Sequence, residues 1–170
     1  MKFEDYIMNV PNFPIEGIQF KDITTLIGDG EAFYQAITEL TEFARDLKAT
    51  KIVGPDARGF ITGAPVAAML HAGFVPVRKP GKLPREVLKY DYELEYGKNT
   101  LCMHKDGVKK GDRVVIMDDL LATGGTMEAS IKLVEAAGGE VVGLGFIIEL
   151  LELKGRDKLK GYPIKVLIQY

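Results

Sequence analysis

The chain has 170 residues, 46% apolar and 27% charged, with a formal net charge of −2; this excludes intrinsic disorder and supplies no general pull toward nucleic acid or acidic membranes. One domain's worth of chain is present, so residues 1–170 are expected to form a single domain. The lone Cys102 cannot close an internal disulfide, no apolar run reaches the roughly 18 residues that span a bilayer, and the start Met1-Lys2-Phe3-Glu4-Asp5-Tyr6 lacks the marks of a signal peptide, so a cytoplasmic protein without membrane or nucleic-acid partners is expected.

Pro11, Pro14 and Gly17 interrupt the first twenty residues, which read as an irregular lead-in ending near Phe20. From Glu31 to Lys48 the apolar residues Phe33, Ala36, Ile37, Leu40, Phe43, Ala44 and Leu47 fall on one helical face. Lys51 to Gly54 is a short apolar strand, Ile61 to Ala72 a helix of small residues stopped by Gly73, and Phe74 to Val77 a second strand: a βαβ unit. Residues 78 to 87 carry two prolines, Gly81, and the cations Arg78, Lys79, Lys82 and Arg85, the composition of an exposed, mobile loop. Tyr90 to Leu94 and Thr100 to His104 form a hairpin about a Gly97-Lys98-Asn99 turn. Arg113 to Met117 reads as a buried strand, Thr126 to Ala137 as a helix closed by Gly138-Gly139, and Val141 to Leu150 and Ile164 to Ile168 as two further strands. Strands alternating with helices predict an α/β fold, a doubly wound and mostly parallel sheet flanked by helices, with ligands beyond the carboxyl ends of the strands.

One strand-to-helix loop carries the chemistry. In Val114-Val115-Ile116-Met117-Asp118-Asp119-Leu120-Leu121-Ala122-Thr123-Gly124-Gly125-Thr126, the two glycines can turn tightly and expose N–H groups. With Thr123, Thr126 and a helix N-terminus they make a phosphate site. Asp118 and Asp119 beside it are placed to accept hydrogen bonds from vicinal ribose hydroxyls, so the loop suits a sugar 5-phosphate. Other phosphate-loop readings fail: there is no Gly-x4-Gly-Lys-Ser/Thr, and Gly28-Asp29-Gly30 and Gly143-Leu144-Gly145 lack the third glycine of a dinucleotide fingerprint. His71 and His104 have no Cys or His neighbours, which predicts no protein metal cage, and Cys102 reads as a small core residue.

That thirteen-residue stretch resembles the phosphoribosyl pyrophosphate motif of the type I phosphoribosyltransferases. Within the family the chain is similar to the adenine-specific branch through Asn12-Phe13-Pro14, Gly17-Ile18-Gln19-Phe20-Lys21-Asp22-Ile23, Arg58-Gly59-Phe60 and Leu94-Glu95-Tyr96-Gly97. The resemblance implies transfer of the 5-phosphoribosyl group from 5-phospho-α-D-ribose 1-diphosphate (PRPP) to N9 of adenine, giving AMP and pyrophosphate, with Mg2+ held mainly by PRPP and a homodimeric enzyme. It assigns PRPP and AMP to Asp118, Asp119, Ala122, Thr123, Gly124, Gly125 and Thr126. Pyrophosphate falls to Ala57 and Arg58, in a loop that often carries a cis non-proline peptide in the family, and to Arg78, Lys79 and Lys82 of a catalytic loop that closes over the donor, from the same or a neighbouring subunit. Adenine falls to Phe20 and Lys21, and the proton chemistry of the base to Glu95. A xanthine- or hypoxanthine-specific relative, or a PRPP-sensing regulatory protein, shares the donor motif and remains open at this point.

Overall fold

The computed structural model describes residues 1–94 and 97–170. After a 3-10 turn at Phe3–Tyr6, β1 (Met8–Pro11) pairs antiparallel with β2 (Gln19–Asp22) in a separate two-stranded sheet. The irregular lead-in is therefore corrected to an ordered hairpin. Its connection is held by Asn12, whose side-chain oxygen accepts the Gly17 N–H at 2.9 Å across the loop between the two strands.

A short helix α1 (Thr24–Ile27) leads to α2 (Gly30–Asp46). The Asp29 side chain caps α2 by accepting the Ala32 N–H at 2.9 Å, and Ala32, Ala36, Ile37, Leu40 and Ala44 are buried, the face that the periodicity predicts. Next come β3 (Lys51–Pro55), α3 (Arg58–Leu70), β4 (Gly73–Arg78), β5 (Val87–Leu94), β6 (Gly97–His104), β7 (Arg113–Leu121), α4 (Gly125–Ala136), β8 (Glu140–Glu149), 3-10 turns at Leu151–Leu153 and Gly155–Lys158, and β9 (Ile164–Gln169). Strands β3 to β9 form one sheet in the order β5-β6-β4-β3-β7-β8-β9, parallel from β4 through β9 with antiparallel β6 and β5 at one edge.

Successive β7 residues go to alternate faces: Val114 and Ile116 join the core beneath α4, while Val115 and Met117 join the core beneath α2 and α3. A strand buried on both sides reads as an unbroken apolar run, which is why it was visible. Cys102 is buried, as expected.

Several boundaries move. Gly97, Lys98 and Asn99 pair with Leu94, Glu93 and Tyr92, so the expected turn residues belong to strand β6. Helix α3 starts earlier than expected, at Arg58, and is stopped by His71 in the left-handed region (φ 56°) instead of by Gly73. Strand β7 continues beyond Met117 because its pairing with β8 runs on to Leu121 opposite Glu149, which places Asp118 and Asp119 inside the strand.

Helix α3, between β3 and β4, lies against one face of the sheet; α4, between β7 and β8, lies against the other. The crossovers diverge between the adjacent strands β3 and β7 and leave a crevice at their carboxyl ends. Among the described residues no helix is long and apolar enough to cross a membrane.

Candidate active site

The crevice holds a cleft of about 250 Å³ lined by Asp56, Ala57 and Arg58 on one side and by Asp118 through Met127 with Phe146 on the other. The N-termini of α3 and α4 both border it, so two positive dipole ends meet at one small space. That arrangement suits a ligand with a phosphate at each end.

Close approach between α3 and β7 depends on Gly59. A Cβ there would lie 2.8 Å from Pro55 Cδ and 3.2 Å from Asp118 Oδ1. Preceding it, the Asp56–Ala57 peptide is cis. Arg58 crosses the cleft, its Nε 3.0 Å from Oδ2 of the buried Asp119. This uses one of the five guanidinium donors. Asp118 Oδ1 accepts the Asp119 N–H at 2.8 Å. Burial, and then the adjacent Asp119 charge, push the Asp118 carboxyl well above the ordinary carboxylate range.

The Asp118 shift has a signed consequence. The fold prefers the protonated carboxyl, so the stability linked to it is complete below the ordinary carboxylate range and is lost as pH rises through the elevated folded value. Asp118→Asn keeps an acceptor for the Asp119 N–H and removes the charge. Its Tm at pH 7 is expected to rise by about 2–4 °C, the shift that about 1 kcal/mol gives in a chain of this size. The gain should shrink toward pH 3; a scanning-calorimetry Tm at pH 7 equal to or below wild type would refute the charge-repulsion account.

Glycine 124 caps α4 with φ +89°, and its added Cβ would lie 2.7 Å from the Gly155 backbone oxygen. Gly125 is less constrained, a Cβ there lying 3.5 Å from the Tyr92 ring. Tyr92 also brings its hydroxyl to 3.5 Å from Thr126 Oγ1, tying the β5–β6 hairpin to the start of α4.

A second, mainly apolar pocket of about 170 Å³ adjoins the cleft and shares Arg58, Asp119 and Leu120 with it. Phe20 and Lys21 line this pocket, where the sequence placed the base, together with Ile18, Gln19, Ile23 and Leu150. Phe13 supports Phe20 edge-on with ring centroids 5.2 Å apart. The Lys21 ammonium donates to Asn9 Oδ1 at 2.9 Å and lies 4.3 Å from the Tyr170 ring centroid, so its partners are protein groups and its stem forms the wall. Leu120 and Leu150 escaped the sequence reading. No local pattern marks them, because strand pairing and chain reversal bring them to the pocket.

The remaining cations are arranged differently. Arg78 ends β4 and donates from Nε to Asp56 at 3.0 Å, supporting the cleft wall from behind. Lys79 and Lys82 are exposed on the loop before β5 and do not line the cleft. Glu95 lies outside the described residues. Among the described residues no group of three or more His, Cys, Asp or Glu side chains is arranged to cage a metal ion.

The phosphoribosyl transferase domain family matches residues 24–167. Adenine phosphoribosyltransferase of Clostridium perfringens is 58% identical over 170 residues, 100% of this chain and 99% of that protein. Among solved structures, adenine phosphoribosyltransferase of Thermoanaerobacter pseudethanolicus is 54% identical with a TM-score of 0.94, covering 99% of this chain and 98% of that one. The enzyme of Saccharomyces cerevisiae, complexed with an imino-altritol bisphosphate and adenine, is 39% identical with a TM-score of 0.90 over 97% of this chain and 96% of that one. A match across nearly the whole chain, in sequence and in backbone, joins the cleft between two helix N-termini at the β3–β7 switch point, and the chain belongs to the phosphoribosyltransferase family, in its adenine phosphoribosyltransferase group.

Proposed function

We propose that the chain transfers the 5-phosphoribosyl group of PRPP to N9 of adenine, releasing pyrophosphate and forming AMP. The observation that carries this reading is the adjacency of a cleft between two helix N-termini and an apolar pocket walled by Phe20, with Arg58, Asp119 and Leu120 common to both. The 5-phosphate sits on Thr123 to Thr126 at the start of α4, and the ribose hydroxyls face Asp118 and Asp119. Pyrophosphate takes Ala57 and Arg58 at the start of α3. The base stacks against Phe20. Fixing the three parts of the reaction in one crevice removes most of the entropic barrier to a bimolecular transfer.

Mg2+ accompanies PRPP as part of the donor, bound by its pyrophosphate and hydroxyl oxygens, and supplies neutralisation of charge on the leaving group. Asp118 fits such a role: burial, and then the Asp119 charge, disfavour its ionised form, and a cation beside it would offset both. Arg58 is the nearest protein cation to the carboxylates and stabilises negative charge developing at the α3 end of the cleft. We infer a homodimer from the resemblance and a cytoplasmic setting from the lone cysteine. A product assay offering adenine, hypoxanthine, guanine and xanthine in parallel tests the base assignment. AMP from adenine alone is the expected result; a nucleotide from one of the other bases, or none from any, would overturn it.

The exposed position of Lys79 and Lys82, beside Pro80 and Gly81, supports a loop that closes on the donor. Trypsin is expected to cut this loop several-fold more slowly when PRPP and Mg2+ are present. Lys82→Ala should lower turnover about tenfold or more while leaving adenine affinity nearly intact, as for a contact made only after closure. Equal cleavage rates with and without the donor would remove the closing-loop assignment.

A further inference from the structure

Glu149, at the end of β8, is 2% exposed, yet none of the roles assigned above uses it. Its two carboxylate oxygens have separate partners: Oε2 accepts Arg156 Nε at 2.7 Å and Oε1 accepts Gln169 Nε2 at 2.9 Å. Burial by itself works against the charge, but these two hydrogen bonds and the Arg156 charge outweigh it and hold the carboxyl below its usual range.

Each partner leads to a different wall of the site. Arg156 belongs to the 3-10 turn Gly155–Lys158 and reaches back seven residues, folding the turn onto the end of β8. The first residue of that turn, Gly155, supports the phosphate cradle directly: a Cβ on it would lie 2.5 Å from the Ala122 oxygen, and its own oxygen is what a Cβ on Gly124 would meet. Gln169 precedes Tyr170, whose ring carries the Lys21 ammonium at the base pocket. Glu149 itself precedes Leu150, which lines that pocket and whose N–H donates to the Leu121 oxygen at 3.0 Å.

We infer that Glu149 is a positioning residue for the transfer reaction, joining the 5-phosphate cradle to the base pocket through Arg156 and Gln169. It touches neither substrate; it sets where the Gly155 turn meets the cradle, where Leu150 lines the base pocket and where Tyr170 holds the Lys21 ammonium. This inference rests on the proposed transfer from PRPP to adenine. A residue acting through both walls affects both substrates, whereas one that merely stabilises the fold affects neither KM.

The test is steady-state kinetics on the full-length protein with PRPP, Mg2+ and adenine, alongside Tm. Glu149→Gln turns an amide donor toward Arg156 or Gln169, and KM for PRPP and KM for adenine are each expected to rise about tenfold, the factor for one lost buried hydrogen bond, with a smaller change in kcat. Arg156→Lys keeps a cation within reach and should hold both KM values within about threefold of wild type, while Arg156→Leu shows the full effect. A lowered Tm with both KM values unchanged would overturn the inference, and so would a rise in only one of them. Should Glu149→Gln fail to fold, Gln169→Ala decides, since it leaves the ion pair in place: about a threefold rise in both KM values is expected, and no change in either overturns the proposal. Wild-type protein forming no AMP would instead refute the proposed function.

Discussion

Valine at position 124 is expected to weaken the binding of PRPP and AMP together by at least about a hundredfold, the consequence of losing about 2.7 kcal/mol. Two costs act at this position. Gly124 holds φ +89°, where an L-residue loses about 1–2 kcal/mol and a β-branched one more. Its Cβ would also be driven to 2.7 Å from the Gly155 oxygen, a backbone atom that moves only if the cradle or the neighbouring turn moves with it. Either movement withdraws the N–H groups that face the 5-phosphate. Gly125→Val should weaken the same two ligands by a smaller factor, about tenfold, because its side chain meets only the Tyr92 ring at ordinary contact distance while narrowing the phosphate's approach to the backbone. Titration calorimetry with AMP, together with Tm, separates the cases. Unchanged affinities in both variants would remove the phosphate from this loop.

Glu95→Gln is the second large effect: AMP formation is expected to slow at least about tenfold in single-turnover assays, and up to the 10²–10⁴-fold typical of a lost general acid or base. The assignment comes from the Leu94-Glu95-Tyr96-Gly97 resemblance, since residues 95 and 96 lie outside the described residues. Glu93 pairs with Lys98 and Leu94 with Gly97, and the same hairpin carries Tyr92 to the start of α4, beside the cradle. Glutamine keeps the shape and hydrogen-bonding capacity of the side chain while removing its exchangeable carboxyl proton, so fold and donor binding should survive. Losing an ordinary surface glutamate would cost less than about 0.5 kcal/mol of stability and leave the rate of the chemistry unchanged. A rate within twofold of wild type would therefore place Glu95 outside the chemistry, and the cradle assignment would stand, because it rests on Thr123 to Thr126.

By itself the sequence determined what depends on neighbours along the chain. The buried face of α2 is a helical repeat, and β7 is a run long enough to serve two cores. Asp118 to Thr126 carries carboxylates, glycines and threonines within one strand-to-helix connection, so the proposed donor cradle can be read from a single contiguous segment. What it left undecided depends on residues far apart in the chain. The β1–β2 hairpin needed the Asn12 side chain to close its turn, and the extension of β7 needed β8 as a partner. Phe20, Leu120 and Leu150 form one pocket only because the N-terminal hairpin and the ends of β7 and β8 converge. Tertiary structure also ranked the two cradle glycines and gave Glu149 its partners, since a steric limit is set by the atom opposite, here the Gly155 oxygen, and a buried charge is stable only where packing delivers its donors.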